Sequence, residues 1–149
     1  TEGVFLDTLS AIIASSEEKK ESGGISDAEI LLVAGRGIGS AKNLKKVVEL
    51  AELMGAKTGV SRPLIDMGWA EYPHQVGQTG ATVAPKLLIS LGVSGAIQHL
   101  AGMGGAKTVI AVNTYEAAPI MRQADYVIQM DCVEFVEQMT EKLKKRMQQ

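Results

Sequence analysis

Two segments rich in glycine and short polar side chains are the part of this sequence best suited to bind a ligand. They are residues 75–80, which read QVGQTG, and residues 92–102, which read GVSGAIQHLAG. Between them lies the apolar run Leu87–Leu91, which is typical of a buried strand. Glycine lets a ligand approach the backbone closely, and the free N–H groups at the start of a helix attract phosphate. These segments therefore predict contact with a phosphate-bearing cofactor.

A third glycine-rich segment, residues 35–40 (GRGIGS), follows a predicted strand and precedes a predicted helix. Its alternating glycines do not match GxGxxG, the fingerprint of dinucleotide-binding folds. An NAD-binding domain would usually carry an acidic residue at the end of the second strand, where this sequence has Ser61 and Arg62. Arg62 therefore argues against the usual NAD arrangement. For the glycine loop itself, a cofactor contact and a tight packing turn both remain open.

Residues 92–96 (GVSGA) are close to the nucleophile elbow of a hydrolase, G-x-S-x-G, with the last glycine replaced. That mechanism needs a histidine beside the serine, and the sequence has only His74 and His99. In such hydrolases the histidine usually follows the acidic residue in the chain, but neither histidine follows Asp125 or Asp131. His99 is also five residues after Ser94, a poor spacing for direct contact on one helix. A hydrolase is therefore disfavoured. At a helix start, Ser94 suits a plain N-cap, a phosphate contact or both.

The order of the predicted elements indicates a doubly wound α/β fold, in which a mostly parallel sheet carries helices on both faces. Short aliphatic runs predict the strands, at residues 30–34, 57–60, 87–91, 108–112 and 126–130. After residue 24, three helical segments are predicted: residues 94–103, one with an apolar face of Leu44, Val47, Val48, Ala51 and Met54, and a C-terminal one with Phe135, Met139 and Leu143. Ligands of such sheets bind beyond the carboxyl ends of the strands, where all the glycine-rich segments fall.

Composition narrows the classes of function. The chain has 149 residues, enough for one domain with a sizeable core. Its formal net charge of -2, without a dense basic stretch, disfavours nucleic acid or an anionic membrane as partner. No apolar run reaches the ~18 residues of a membrane span, so no membrane insertion is expected. Cys132 is the only cysteine, which excludes an internal disulfide and fits a reducing compartment, and no cluster of metal ligands is visible.

The first 24 residues differ from the rest of the chain. Residues 15–24 (SSEEKKESGG) contain no apolar residue and end in two glycines, which is typical of a linker. We therefore expect an N-terminal segment and flexible linker over residues 1–24 and one ligand-binding domain over residues 25–149. Because the chain starts at Thr1 rather than methionine, we expect a fragment or a processed chain.

Residues 94–102 (SGAIQHLAG), followed by residues 110–113 (IAVN), resemble the FAD-binding signature of the electron transfer flavoprotein alpha subunit. The segment at residues 75–80 matches this family independently. Three shorter motifs align in the same order: residues 35–37 (GRG), 61–62 (SR) and 124–126 (ADY). The resemblance spans roughly residues 30–143 and concerns the C-terminal FAD-binding domain of that subunit. It implies FAD, bound non-covalently, as the cofactor.

The resemblance also implies roles for individual residues. Arg62 would lie over the isoalloxazine ring, His99 would face its pyrimidine carbonyl, and Ser94 would bind near the pyrophosphate. Arg36 would be a further contact without an assigned partner. The complete set of cofactor-binding positions that it implies is Arg36, Ser61, Arg62, Gln75, Val76, Gly77, Gln78, Thr79, Ser94, Gly95, Ala96, Ile97, Gln98, His99, Asn113 and Asp131. Ser61, Asn113 and Asp131 would lie towards the adenosine.

As a member of this family, the chain would be an electron-carrier subunit rather than a substrate-transforming enzyme. The resemblance implies a heterodimer with the electron transfer flavoprotein beta subunit and electron donors that are flavin dehydrogenases, such as acyl-CoA dehydrogenases. Some members instead bifurcate electrons with a second FAD in the beta subunit. The expected location is the cytoplasm of a bacterium or the mitochondrial matrix. The alternative is a structural nucleotide-binding domain of a similar fold, as in thiamine-diphosphate enzymes.

Overall fold

A computed structural model of the chain describes residues 29–70, 85–93, 106–115 and 118–147. The predicted N-terminal segment and linker, the segment at residues 75–80 and the predicted helix at residues 94–103 lie outside these ranges. Within them the chain forms one parallel sheet with helices packed on it. The α/β fold and the single domain predicted from the sequence are therefore confirmed.

The sheet has five strands in the order β2-β1-β3-β4-β5, and every neighbouring pair is parallel. The strands are β1 (Ile30–Ala34), β2 (Lys57–Val60), β3 (Leu87–Leu91), β4 (Thr108–Asn113) and β5 (Tyr126–Gln129). The helices are α1 (Ala41–Met54), α2 (Arg62–Asp66), α3 (Pro119–Gln123) and α4 (Cys132–Met147), and a 3-10 turn spans Arg36–Ile38. Each predicted strand is present, and the central strands β1, β3 and β4 are buried on both faces, as continuous aliphatic runs in a parallel sheet can be.

The two faces of the sheet have separate apolar cores. Alternate residues of β1 show this, since Leu32 packs with α1 and α4 whereas Leu31 packs with Ile120 of α3. The α1–α4 face is the larger core and includes the fully buried Phe135. Helices therefore cover both faces of the sheet, as the doubly wound arrangement requires.

Helix α1 begins and ends at residue types that are common at helix ends. The Ser40 side chain accepts a hydrogen bond from the Asn43 backbone N–H at 3.2 Å, and Gly55 ends the helix with a φ of 69°. The predicted apolar face is corrected at one position. Val48 is 38% exposed, whereas Leu50 is fully buried. Leu50 lies three residues after Val47, so the two side chains are neighbours on the helix surface. The buried stripe is therefore wider on that side than the sequence pattern suggested.

Helices α1 and α4 are also joined across their solvent-facing sides. Lys46 Nζ lies 2.8 Å from Glu137 Oε2, and Lys144 Nζ lies 3.2 Å from Glu49 Oε1. All four side chains are substantially exposed, so each pair contributes at most about 1 kcal/mol. The buried apolar contacts between the two helices therefore set their packing.

Candidate functional site

The parallel sheet brings the carboxyl ends of all five strands to one edge of the molecule. Arg36 follows β1, Ser61 and Arg62 follow β2, Asn113 ends β4, and Asp131 lies just beyond β5. These are all the predicted cofactor-binding residues that the structure describes, and every one of them is at this edge. We call it the carboxyl edge.

The side of β1 on which successive strands are added to the sheet changes between β2 and β3. From β1 the chain moves outward to β2, and it then returns to place β3, β4 and β5 on the other side of β1. In doubly wound sheets, ligands bind in the crevice at such a switch point. Residues 35–39 border this crevice on the β1 side, and residues 92–93 border it on the β3 side.

Glycines allow the two sides of the switch point to touch through their backbones. A Cβ atom on Gly37 would lie 2.7 Å from the Cα atom of Gly92. A Cβ atom on Gly35 would lie 2.5 Å from the Gly92 carbonyl oxygen. Neither distance is compatible with a side chain, so this close approach is possible only with glycine at both positions.

The hydrogen bonds of residues 35–39 show what this loop does with its backbone. Gly35 N donates to Leu91 O at 2.8 Å and Gly37 N to Gly92 O at 2.9 Å. Within the loop, Ile38 N donates to Gly35 O and Gly39 N donates to Arg36 O. Because these N–H groups already have protein acceptors, the glycines are explained by tight packing rather than by a backbone cradle for phosphate. The exposed Arg36 side chain is the group that this loop offers to a ligand.

Ser61 and Arg62 stand where β2 meets α2. Ser61 is 6% exposed, and its backbone N–H donates to Ala34 O at 2.9 Å, which ties the end of β2 to β1. Arg62 opens α2, with its side chain 62% exposed and its Nε atom 3.7 Å from Asp66 Oδ2. Because this ion pair is long and exposed to solvent, it holds the guanidinium weakly. Arg62 is therefore a cation at the carboxyl edge that a bound anion could recruit.

The side chain of Asn113 connects the ends of two strands. Its Nδ2 atom donates to Val93 O at 3.0 Å, and its Oδ1 atom accepts from Tyr115 N at 2.9 Å. Both polar ends of the amide are thus bonded within the protein. The family resemblance implies that Asn113 lies towards the adenosine, and no sequence pattern indicated this connection, because it joins residues from different strands.

Asp131 and Cys132 lie together where β5 gives way to α4. Asp131 is exposed, whereas Cys132 is 3% exposed, with its Sγ atom 3.0 Å from the position of a Cβ on Gly92. Burial, and secondarily the charge of Asp131, raises the pKa of the Cys132 thiol to about 11. Cys132 is therefore a protonated packing residue at neutral pH. Its position directly after a predicted strand was the signal that could have placed it near the site.

One motif behind the family resemblance is structural. Asp125 lies at the amino edge of the sheet, where its Oδ2 atom accepts from Val109 N at 2.7 Å. Its backbone N–H donates to Val109 O at 2.9 Å, so the residue holds the start of β5 against β4. The motif at residues 124–126 is thus explained by strand pairing rather than by ligand binding.

The other predicted cofactor-binding positions lie outside the described residues: Gln75, Val76, Gly77, Gln78, Thr79, Ser94, Gly95, Ala96, Ile97, Gln98 and His99. Their roles stay predictions. In the part of the chain that the structure describes, no group of three or more histidine, cysteine or acidic side chains could hold a metal ion. The same ranges contain no helix long and apolar enough to cross a membrane.

The doubly wound fold and the glycine-bordered switch point define a dinucleotide-binding α/β domain. The model of the electron transfer flavoprotein FAD-binding domain matches residues 24–104, more than half of the chain. The chain therefore belongs to this family, and FAD is the cofactor that its domain binds.

Individual relatives agree with the family match. The chain is 42% identical over 139 residues to the electron transfer flavoprotein subunit alpha of Thermoanaerobacterium thermosaccharolyticum, covering 93% of the chain and 42% of that protein. It is 50% identical over 117 residues to the same subunit of Mycobacterium tuberculosis, covering 78% and 37%. Protein FixB of Clostridium saccharobutylicum is 44% identical over 122 residues, covering 82% and 36%. The chain thus spans less than half the length of these relatives.

A solved structure is similar in fold only. A putative thiamin diphosphate-dependent enzyme from Mycobacterium smegmatis superposes with a TM-score of 0.52 and 14% sequence identity, over 94% of this chain and 27% of that one. At this identity the likeness concerns the arrangement of strands and helices.

The residues at the carboxyl edge suit FAD chemically. Two exposed guanidinium groups, Arg36 and Arg62, offer positive charge to a diphosphate or to a flavin that gains negative charge. The exposed carboxylate of Asp131 suits ribose hydroxyl groups, which can donate to it. At Gly37 and Gly92 two backbones meet without side chains between them, and glycine lets a cofactor approach the backbone closely.

Proposed function

We propose that this domain holds FAD in an electron transfer flavoprotein alpha subunit that carries electrons from flavin dehydrogenases to a downstream acceptor. The observation that carries the proposal is the convergence of Arg36, Ser61, Arg62, Asn113 and Asp131 on one edge of a domain whose family binds FAD. The bound FAD supplies an isoalloxazine ring that takes up and releases electrons. The protein residues would bind it, orient it and adjust its electrostatic environment.

The proposed roles follow from the charge and position of each residue. Arg62 would lie over the isoalloxazine and favour the negative charge that reduction brings. Arg36 would contact the cofactor from the β1 side of the switch point. Asp131 would accept hydrogen bonds from the adenosine half. The segments at residues 75–79 and 94–99 would complete the site with the contacts that the family resemblance implies.

An electron-carrier subunit is better supported than the alternatives. The alpha-subunit relatives at 42–50% identity carry the electron transfer name, whereas the thiamin-diphosphate likeness is one of fold at 14% identity. The relatives' names describe an electron carrier rather than an enzyme with its own substrate. We therefore propose the beta subunit of an electron transfer flavoprotein as the partner and acyl-CoA dehydrogenases as one class of electron donor.

Identification of the released cofactor tests this proposal. The full-length protein, purified with any subunit that accompanies it, would be denatured and its supernatant separated by chromatography with absorbance detection. We expect FAD in about one equivalent per alpha subunit. FMN, NAD or a colourless nucleotide as the released compound would overturn the assignment.

A matched pair of arginine variants shows whether the carboxyl edge is the binding site. Arg36→Ala is expected to weaken FAD binding, because it removes a cation at that edge. Arg122 is also exposed, but it belongs to α3 near the amino edge of the sheet. Arg122→Ala should leave FAD binding unchanged, and equal losses in both variants would place the cofactor elsewhere.

A further inference from the structure

The amino edge of the sheet, where the strands begin, carries a row of lysines far from the carboxyl edge. Lys57 begins β2, Lys86 precedes β3 and Lys107 precedes β4. The last two lie beside the start of β1, since Lys86 N donates to Glu29 O at 2.8 Å and Lys107 N donates to Pro85 O at 3.0 Å. Because neighbouring strands lie about 4.8 Å apart, the row is about 14 Å long. We call Lys57, Lys86 and Lys107 the amino-edge lysines.

Acidic residues of the sheet neutralise this row only in part. Glu29 precedes β1, and its Oε1 atom lies 3.8 Å from Lys86 Nζ, with side chains that are 47% and 68% exposed. Such a long and exposed pair holds Lys86 weakly. Asp125 precedes β5, but its Oδ2 atom accepts from Val109 N at 2.7 Å. Lys107 is exposed and forms no ion pair with another described residue, so the row keeps positive charge.

The part of the chain that leads into β1 has the opposite charge. Residues 1–28, which lie outside the described ranges, contain six acidic residues and two lysines and therefore carry a formal charge of -4, so the rest of the chain carries +2 of the total of -2. Four of the six acidic residues are within twelve residues of Glu29: Glu17, Glu18, Glu21 and Asp27. An acidic segment is thus joined to the edge that carries the lysines.

The length of this segment lets its acidic residues reach the amino-edge lysines. An extended chain spans up to about 3.3 Å per residue, so the eight residues between Glu21 and Glu29 reach about 26 Å. Lys107 precedes the strand that is two positions from β1 in the sheet, about 10 Å away. A tether of this kind keeps the local concentration in the millimolar range. It therefore favours ion pairs that would be too weak between separate molecules.

The order of side chains along the segment matches the order of the surface along the sheet. Moving away from β1, the edge presents Lys86, then Lys107, and then β5, whose Val127 is 53% exposed. Moving away from β1, the segment presents the acidic residues of 17–27 and then the apolar residues of 9–13 (LSAII). The apolar residues have the spacing of one helical face. Acidic residues therefore meet lysines, and apolar residues meet the exposed edge strand, in the same direction.

We propose that residues 9–27 of this chain dock along the amino edge of the sheet. The acidic residues of 17–27 lie on Lys86 and Lys107, and the apolar residues of 9–13 lie on β5. This surface is opposite to the carboxyl edge, so the docked segment and FAD occupy separate places on the domain. The inference goes beyond the proposed function and does not rest on it.

Trypsin cleavage after Lys19 and Lys20 reports the docking, because proteases prefer exposed segments without other contacts. In the full-length protein at low ionic strength, Lys107→Glu should raise the cleavage rate at this site about fivefold, as expected when one exposed ion pair becomes a repulsion. Lys45→Glu is the matched control, since Lys45 is also exposed but lies in the first half of α1, towards the carboxyl edge. The mass of the released fragment identifies the site.

Two results of this comparison would overturn the proposal. Equal cleavage rates in the two variants would show that Lys107 does not hold the segment. Faster cleavage in Lys45→Glu alone would place the segment at the carboxyl edge.

Salt and protein concentration separate docking within one chain from other occupants of the lysines. At about 1 M salt the screening length falls to about 3 Å, so cleavage of the unchanged protein should approach that of Lys107→Glu. A peptide of residues 12–27 corrects for the effect of salt on trypsin. Docking within one chain is independent of protein concentration. Protection that disappears on dilution would show that a second copy or another protein covers the lysines, which would overturn the proposal.

Val127→Thr tests the contact with β5, with Val48→Thr as its matched control. Threonine keeps the branched shape of valine and replaces a methyl group by a hydroxyl group. Val48 is 38% exposed but belongs to α1. Cleavage after Lys19 and Lys20 should be about twofold faster in Val127→Thr than in Val48→Thr, because a partly buried methyl group is lost. Equal rates would show that residues 9–13 do not lie on β5 and would overturn the proposal.

Discussion

Arg62 is the residue whose charge most directly links this structure to flavin chemistry. It opens α2 at the carboxyl edge, and its pairing with Asp66 at 3.7 Å is exposed and weak. A guanidinium of this kind can turn towards a bound anion at little energetic cost. Its effect on a flavin depends on how much water remains between the two groups.

Arg62→Ala is expected to lower the reduction potential of the bound flavin, because a cation stabilises the negative charge gained on reduction. At about 4 Å the attraction is about 1 kcal/mol in a water-like environment and about 4 kcal/mol at an effective dielectric of 20. With about 2.3 kcal/mol per 100 mV, the potential should fall by about 40 mV and by at most about 170 mV. Anaerobic reductive titration against a reference dye measures the change. Arg122→Ala is the control, and a potential that stays unchanged in both variants would show that Arg62 acts only as a surface charge.

The buried thiol of Cys132 is expected to make the free energy of unfolding fall at alkaline pH. Burial, followed by the charge of Asp131, raises the pKa of its thiol from 9.0 to about 11. Between these values the unfolded chain loses the thiol proton while the folded chain keeps it. The stabilisation is therefore complete below pH 9 and is lost as the pH rises towards 11, by up to about 3 kcal/mol.

Comparison with Cys132→Ala isolates this contribution, since the other groups that titrate in this range are common to both proteins. Urea unfolding measured from pH 7 to pH 10.5 should show a steeper loss of unfolding free energy in the protein that keeps Cys132. Parallel pH profiles would show that the thiol ionises equally in the folded and unfolded states, contrary to its burial.

At the scale of elements, the contact between α1 and α4 sets much of the stability of the larger core. Phe135 is fully buried there, together with Met139 and Met54. The ion pair between Lys46 and Glu137 bridges the same two helices in solvent. The buried apolar contacts should contribute far more to the free energy of unfolding than the exposed ion pair.

Phe135→Ala is expected to lower the unfolding free energy by about 3–5 kcal/mol, because it removes a large apolar side chain and leaves a cavity. Lys46→Ala should change it by less than about 1 kcal/mol, since the ion pair is exposed. Chemical denaturation of the two variants provides the comparison. A loss from Lys46→Ala as large as that from Phe135→Ala would mean that charge pairing, rather than burial, holds α4 on the sheet.

At the scale of the whole molecule, the charged groups of the carboxyl edge that would bind FAD are exposed on this chain. Arg36, Arg62 and Asp131 all lie open to solvent. Exposed groups alone offset only part of the ordering cost of a large cofactor. A partner subunit that covers the edge would supply the remaining enclosure, as proposed for the beta subunit.

The isolated chain is therefore expected to bind FAD weakly, and the beta subunit should tighten binding through linked equilibria. Titration calorimetry of FAD into the chain, alone and with saturating beta subunit, measures the coupling. Arg122→Ala in both titrations is the control, because Arg122 belongs to α3 and lies away from the carboxyl edge. Equal affinities with and without the beta subunit would show that this domain encloses its cofactor alone.

The central strands of this fold could be predicted closely because β1, β3 and β4 are mostly continuous aliphatic runs. The predicted run at residues 30–34 is β1 itself, and Gly55 ends α1 as its sequence position suggested. Helix α1 shows the limit of such patterns. Val48 and Leu50 are both apolar, and only the position of the sheet and α4 made Leu50 buried and Val48 exposed.

The amino-acid sequence by itself determined the fold class, the family and the edge of the sheet at which polar residues gather. These follow from local runs, from motif order and from the shared direction of parallel strands. The tertiary structure decided what the glycines of residues 35–39 and the amide of Asn113 do. Gly37 meets Gly92, and Asn113 meets Val93, across strands that are distant in sequence. No local pattern specifies such a partner, because the contact exists only once β1, β3 and β4 lie side by side.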